Sequence, residues 1–363
     1  MRRIIFLFNS ILVFLQAQIS QLTKIDKKMN ISAKSVLVIA FSVLSCLNIK
    51  AQGDWKREQT IVMSSVGKQS LLHDVSFLTD SICAGRATGT GENMAAGFWI
   101  ARKFMNAGLL EMTPGYGSHF RTPNGAHGHN IIGMIPGSYT MPTDRYIIVG
   151  AHYDHLGTIN GKMYPGADAN ASGTAVLTSL ADMFGLMKKM GKVYGTNIIF
   201  VAFDAKEMDM AGSVFTWKLI EYGMLKDPIT GSAVTKDKIV AMVNIDQIGS
   251  SLSPIRQNRK DYMLMLGNES LPKKQRMNLD ACNMLHNINL DLCMSYYGSK
   301  TFTEVFYRLS DQKVFVDNKI PAIFFTSGIT MNTNKTWDRA ENLDYEVLHK
   351  RLKLIYHWLE TLL

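Results

Sequence analysis

The sequence predicts an α/β fold: one domain with a mixed, mostly parallel central sheet and helices on both faces. Short apolar runs of strand length alternate along the chain with longer segments of helical periodicity, which is typical of parallel sheets covered on both sides. No stretch between these segments has the composition of an interdomain linker. After a leader of 51 residues, 312 residues remain, which is enough for one large domain.

Three segments have the apolar periodicity of helices: Glu92 to Gly108, Ser172 to Lys189 and Tyr345 to Leu362. The apolar residues on one face of the first are Met94, Phe98, Ala101 and Met105. Those on one face of the last are Leu348, Leu352, Ile355 and Leu359. Gly108 is a helix stop signal.

The predicted strands are short apolar or β-rich runs between these helices. They are Asn130–Pro136, Arg145–Ala151, Asn197–Phe203, Ile239–Ile245, Tyr262–Leu266 and Ala322–Thr326. Several of them are followed directly by polar residues. Because open α/β sheets bind ligands beyond the carboxyl ends of their strands, this is where we expect the functional site.

The amino-terminal leader predicts export to the periplasm, the cell envelope or the medium. Residues 29–51 have a lysine, a short apolar core and a polar end at Ala51-Gln52, the layout of a secretory signal. The apolar run is short for a membrane span. We therefore interpret residues 1–28 as an extension of the gene model, residues 29–51 as the signal peptide and residues 52–363 as the mature domain. Two alternatives stay open, an uncleaved anchor and a lipoprotein signal in which Cys46 carries lipid; either would be the chain's only link to a membrane.

The net charge argues against a nucleic-acid-binding protein, and the cysteine spacing argues against a cysteine metal site. The formal charge is +9, but residues 1–51 hold seven Lys or Arg and one Asp, so the remainder carries +3. Without a basic stripe interleaved with aromatic residues, this is no nucleic-acid-binding pattern. Cys282 and Cys293 have no metal-ligand spacing; they could form a disulfide or remain separate buried thiols.

Five polar clusters are candidates for chemistry. They are His152 with Asp154, Asp168 in the loop GADANASG, Lys206-Glu207, Asp246, and Ser310-Asp311-Gln312. A histidine with a carboxylate two residues on can be a metal ligand with its own orienting group. Each cluster alone is common in surface turns and helix caps. Their order and their shared location at strand ends predict a single site.

At these residues the chain resembles the co-catalytic zinc aminopeptidases, metallopeptidase family twenty-eight, whose relatives include bacterial leucyl aminopeptidase, glutaminyl cyclases and the transferrin receptor ectodomain. The resemblance covers about residues 71–363. It rests on CAGRATGT at 83–90, NIIG at 130–133, GAHYDHLG at 150–157, GADANASG at 166–173, the turn before Gly212-Ser213 and NIDQIG at 244–249. It implies the same α/β fold and a site for two zinc ions.

The resemblance also implies which site residues are retained. His152 matches a zinc ligand and Asp154 the carboxylate that orients it. Glu207 and Asp246 match two further zinc ligands. Asp168 matches the first aspartate of its loop, which usually does not bind metal in the family but could help a residual site here.

Three core positions of the family pattern are substituted. The aspartate that bridges the metals is replaced by Ala169, the general base by Lys206 and the last histidine ligand by Gln312. No catalytic residue of the family pattern is therefore intact. We expect zinc to be absent or weakly bound, since alanine cannot coordinate and a neutral amide is a poor zinc ligand. We further expect the Lys206 ammonium to occupy a metal position and pair with Glu207 or Asp246.

Three functions follow as hypotheses. The first is an exported pseudo-peptidase that binds a peptide or protein partner without cleaving it. The second is an unusual single-metal exopeptidase using His152 and Asp246, helped by Asp168 or Glu207. The third is a structural or assembly role in the cell envelope.

Overall fold

The structure, a computed structural model, describes residues 57–254, 256 and 258–363. Residues 57–64 are helical and end a first unit; the chain from Ser65 to Leu363 forms a second, compact unit. The predicted extension, the predicted signal sequence and Cys46 lie outside the described residues. Within the described part of the chain, no helix is long and apolar enough to cross a membrane.

A nine-stranded mixed sheet forms the centre of the compact unit. Its strands are β1 (Leu110–Glu111), β2 (Gly117–Arg121), β3 (His127–Ile135), β4 (Tyr146–His152), β7 (Asn197–Phe203), β8 (Ile239–Ile245), β9 (Tyr262–Leu266), β10 (Asp291–Cys293) and β11 (Ala322–Thr326). The order is β1-β3-β7-β4-β8-β11-β9-β10, and β2 also pairs with β3. Only β3, β9 and β10 run against the other six, so the sheet is mostly parallel, as predicted. Strands β5 (Gly157–Ile159) and β6 (Lys162–Tyr164) form a separate hairpin.

Helices cover the sheet. They are α1 (Lys68–Thr79), α2 (Gly91–Ala107), α3 (Gly173–Lys189), α4 (Ala211–Glu221), α5 (Lys273–Leu285), α6 (Lys300–Tyr307), α7 (Gln312–Asp317) and α8 (Tyr345–Glu360). The four predicted apolar residues of α8 are all fully buried, which confirms its predicted face. Asp344 caps this helix by accepting a hydrogen bond from the backbone N–H of Val347 at 3.1 Å.

Helix α2 begins one residue before the predicted Glu92 and ends at Ala107, next to the predicted stop Gly108, but it buries a different face. Thr90 caps its start, and Gly108, with φ of 84°, ends it in the left-handed conformation that glycine adopts without strain. Its core contacts come from Ile100 and Phe104 among others. The predicted apolar face is instead exposed: Phe98 is 67 % exposed.

The structure settles the two alternatives for Cys282 and Cys293. No disulfide joins them, so they are separate thiols, with Cys282 buried and Cys293 partly exposed. The Cys293 thiol donates to the backbone carbonyl of Ser295 at 3.0 Å.

A fully buried arginine, Arg86, fixes the loops beneath the strand ends. Its guanidinium donates to the carbonyls of Tyr153 (2.6 Å), Pro165 (2.9 Å) and Gly166 (3.0 Å), and also to that of Leu78. Burial lowers its pKa to about 10, so it remains protonated at neutral pH. The arginine therefore ties the segment after β4 to the loop that precedes α3.

We expect Arg86→Met to lower the free energy of unfolding by about 3 kcal/mol or more. The substitution keeps much of the side chain's volume but leaves several buried carbonyls without a donor, at roughly 1–3 kcal/mol each. Denaturant titration would measure the loss. Arg102→Met, on the exposed side of α2, is the control; a loss at Arg86 no larger than at Arg102 would contradict this role.

Candidate functional site

Two retained site residues meet directly where adjacent parallel strands end. His152 is the last residue of β4, and Asp246 follows β8. The His152 Nε2 lies 3.1 Å from the Asp246 Oδ1, and both side chains are buried. The parallel pairing of β4 with β8 therefore brings together residues 94 positions apart.

Asp154 holds the neighbouring turn in place. Its two carboxylate oxygens accept the backbone N–H groups of Lys206 and Glu207, each at 3.0 Å. One of these oxygens also lies 3.5 Å from the His152 Nδ1, which makes a 3.1 Å contact with the Asp154 carbonyl. Asp154 therefore contacts both His152 and the turn that follows β7.

Lys206 turns toward the site and pairs with its neighbour. Its Nζ donates to the Glu207 Oε1 at 3.0 Å, and the two side chains are only 17 % and 20 % exposed. Burial favours the neutral amine, but the Asp246 and Glu207 carboxylates outweigh it and raise the pKa of Lys206 above its ordinary value. The predicted pairing with Glu207 is present, and Lys206 stays an ammonium.

Asp246 and His152 form a charged pair. Burial alone would lower the pKa of His152, but the Asp246 carboxylate and the hydrogen bonds to Asp154 and Asp246 raise it to about 10. The same imidazolium, with Lys206 and the Ser310 hydroxyl, holds the pKa of Asp246 below its ordinary value despite burial. A protonated imidazole has no lone pair to offer a metal ion.

Both polar atoms of the Gln312 side chain already make hydrogen bonds within the protein. The residue is fully buried, its Oε1 accepts the Asn244 side-chain amide at 2.7 Å, and its own amide donates to the Tyr307 carbonyl. The Asn244 amide also donates to the Ser310 hydroxyl at 2.8 Å, which in turn donates to the Asp246 Oδ2 at 2.7 Å. Gln312, which the resemblance places where the family has its last histidine ligand, is thus part of a chain of hydrogen bonds that ends at Asp246.

The loop before α3 is held by a residue from the far end of the chain. The backbone N–H groups of Asp168 and Ala169 donate to the Asp338 carboxylate at 2.8 and 3.1 Å. The Asp168 Oδ1 accepts the backbone N–H of Gly249 at 2.7 Å, so it caps the turn after Asp246. Burial, and then the nearby Asp338 carboxylate, raise the pKa of Asp168 to about 7.

The sequence assigns no individual role to two buried residues near the site, His155 and Asp311, although Asp311 belongs to the predicted cluster Ser310-Asp311-Gln312. Asp311 lies among the charges of His152, Asp154 and Asp246, and burial raises its pKa to about 7. His155 is 2 % exposed, and burial holds its pKa well below the ordinary value. Their only sequence signal is adjacency to His152 and Gln312; nothing in residue order indicates that both side chains would be enclosed.

These residues do not fit the family's pair of zinc ions. Ala169 has no donor atom, the Gln312 oxygen already accepts from Asn244, and an ammonium sits against Glu207. Within residues 57–254, 256 and 258–363, no group of three or more His, Cys, Asp or Glu side chains is arranged to hold a metal ion. The charged side chains of the site pair with one another, so their donor atoms are already occupied.

A mostly parallel sheet with polar residues grouped at its strand ends places the chain among the α/β proteins that carry their sites beyond the strand ends. The model of peptidase family M28 matches residues 130–359, more than half of the chain. The chain therefore belongs to peptidase family M28, as the sequence motifs predicted.

Solved structures show the same fold at low sequence identity. The LapA aminopeptidase of Legionella pneumophila is 18% identical, with a TM-score of 0.61 over 85% of this chain and 75% of that one. Glutaminyl cyclase of Porphyromonas gingivalis is 16% identical, with a TM-score of 0.59 over 82% and 99%. The aminopeptidase of Aneurinibacillus sp. strain AM-1 is 13% identical, with a TM-score of 0.59 over 83% and 95%. At these identities the likeness concerns the fold.

Proposed function

We propose that this chain is an exported pseudo-peptidase of family M28 that binds a peptide or protein partner without hydrolysing it. The Lys206–Glu207 ion pair carries the proposal. By the family resemblance, Glu207 matches a zinc ligand and Lys206 the general base. Here the two side chains bind each other at 3.0 Å.

Electrostatics supports the absence of a second metal. A unit charge 4 Å from the Lys206 ammonium would be repelled by about 4 kcal/mol at an effective dielectric constant of 20, and a divalent ion by about twice that. The carboxylates Glu207 and Asp246 are already balanced, the first by Lys206 and the second by His152. Little negative charge is left to hold a divalent ion.

Acid–base chemistry supports the same proposal. A general base must be neutral or anionic and near the reacting water, and its loss typically costs about a hundred- to ten-thousandfold in rate. The neighbouring carboxylates raise the pKa of Lys206, so a neutral amine is scarce at physiological pH. The glutaminyl cyclase reaction would suffer equally, since Ala169 and Gln312 stand at positions that its zinc would use.

The single-metal alternative depends on one observation: His152 and Asp246 remain adjacent at 3.1 Å. The two additional ligands of this alternative already accept hydrogen bonds. Asp168 accepts from Gly249 and Ser172, and Glu207 accepts from Lys206. A metal would have to displace these partners and deprotonate His152.

We expect the purified protein to hold far less than one zinc per chain after equilibration with free zinc and dialysis. Elemental analysis measures the zinc. Aminoacyl-nitroanilide and glutaminyl-peptide substrates test hydrolysis and cyclisation, for which we expect no turnover above buffer. Peptides retained by the protein should be recovered intact by mass spectrometry. A full equivalent of zinc together with peptide cleavage would instead establish the single-metal enzyme.

A further inference from the structure

One face of helix α2 carries large apolar side chains that the fold leaves exposed. Met94, Phe98 and Met105 are 45 %, 67 % and 57 % exposed, and Ala101 is half-buried between them. Because residues three and four apart share a helix face, these four form one continuous line, called here the α2 stripe. The stripe contains none of the residues of the strand-end site.

The α2 stripe is separate from the face by which helix α2 packs against the rest of its own chain. That inner face is formed by Gly97, Ile100 and Phe104, among others, all buried. Single exposed hydrophobic residues are normal on protein surfaces and need no explanation. Four apolar positions at spacings of four, three and four residues are instead the pattern by which one helix packs on another.

The order of residues in the stripe indicates what covers it. The spacing of four, three and four reads the same in both directions, so the stripe matches a copy of itself that runs antiparallel. In that arrangement Phe98 faces Ala101 of the second copy, and Met94 faces Met105. Large side chains against small ones let facing helices interdigitate, and a two-fold axis makes each such contact twice.

We propose that the α2 stripe is the contact surface of a homodimer in which two α2 helices pack antiparallel across a two-fold axis. The four residues of the stripe are uncharged, while the exposed Arg102 lies at its edge, four residues after Phe98 and three before Met105. One helix face buries less area than a standard stable interface. The dimer is therefore weak and reversible, and its population rises with protein concentration.

Sedimentation equilibrium of the purified protein over a wide concentration range tests this proposal. We expect the mean mass to rise from monomer toward dimer. Phe98→Ala and Ala101→Phe should each weaken the dimer by roughly tenfold or more, the first by removing buried apolar area and the second by crowding Phe98. The double variant F98A/A101F should restore most of the affinity, because each new phenylalanine again faces an alanine.

Met277→Ala is the matched control, since Met277 is 60 % exposed on helix α5, away from the stripe. It should leave the dissociation constant unchanged. Thermal unfolding of every variant at low concentration shows that the monomer fold is intact. The proposal is overturned by a monomer at all concentrations, by a dimer that the single variants leave unchanged, or by failure of the double variant to restore affinity.

Discussion

Restoring the three lost positions together, with Ala169→Asp, Lys206→Glu and Gln312→His, is expected to create a zinc-binding protein. The natural site has the carboxylates of Glu207 and Asp246 against the Lys206 ammonium and the His152 imidazolium, a sum of about zero. The triple variant has four carboxylates and no ammonium, about −4 with His152 as a neutral ligand, which matches two zinc ions at +4. It also supplies an imidazole and a carboxylate that zinc prefers as ligands. Elemental analysis after dialysis should give about two zinc ions per chain.

The surroundings of these positions favour this outcome. The backbone at position 169 is already fixed by the Asp338 carboxylate, and the turn at 206–207 by Asp154. Position 312 must give up its hydrogen bonds to Asn244 and Tyr307, and position 206 its hydrogen bond to Glu207. With the base restored, we expect peptidase activity at least about a hundredfold above the natural chain.

A matched control distinguishes the effect of new ligand atoms from the effect of side-chain volume. The variant A169N/K206Q, with Gln312 unchanged, has side chains of similar size to the restored ones but adds no carboxylate or imidazole. It should bind no more zinc than the natural chain. If the triple variant also stays free of zinc while folded, then the assignment of these three positions to the family's metal site is wrong.

The parts of the fold that the sequence predicted best are those whose burial is decided locally. Strands β7, β8, β9 and β11 match the predicted limits residue for residue, because buried strands of a covered sheet are continuous apolar runs. Strand β2, Gly117–Arg121, has alternating burial and lies at the edge of the sheet. Its short polar sequence gives no comparable signal, since its pairing with β3 depends on tertiary context.

Helix α2 illustrates a second limit. Periodicity located the helix, yet two candidate faces lie side by side, and the one with Phe98 is the exposed one. The inner face depends on a close approach that a sequence does not reveal: an added Cβ on Gly97 would come within 2.3 Å of the His129 ring. Only the small residue allows the helix to pack on β3 there.

At the site, the motifs identified the residues but not their partners. Local spacing related Asp154 to His152. The contacts of Gln312 with Asn244 and of Asp338 with Asp168 join positions 68 and 170 residues apart, and depend on the finished sheet. The substitutions could thus be recognised from sequence, while the partners of Lys206 and Gln312 required the structure.

The largest stability effect at the site is expected from Asp246→Ala, which should lower the free energy of unfolding by about 3–5 kcal/mol. Asp246 accepts hydrogen bonds from His152 and from the Ser310 hydroxyl, at 3.1 and 2.7 Å, and its charge stabilises the Lys206 ammonium. Without it, a fully buried imidazolium loses its partner. Breaking one half of a buried charged pair is costly because the other half remains desolvated.

The pH dependence of this loss follows from the two pKa shifts. The pKa of His152 is raised from 6.5 to about 10, so its contribution is complete below about pH 6.5 and is lost as pH rises toward 10. The pKa of Asp246 is lowered from 3.8, so its contribution is present above that value and is lost at lower pH. The difference between natural chain and variant should therefore be largest between about pH 4 and 6.5.

Asp280→Ala is the control for the same chemical change, because Asp280 is exposed on helix α5 and should change stability by no more than about 0.5 kcal/mol. Urea titrations of both variants from pH 4 to 10 measure the loss. A cost at Asp246 that stays constant over this range would mean that packing, and not the charge on His152, determines it. If Asp246→Ala instead stabilised the chain, the His152–Asp246 pair would be retained at the expense of stability, as active-site groups are. That result would favour the single-metal enzyme.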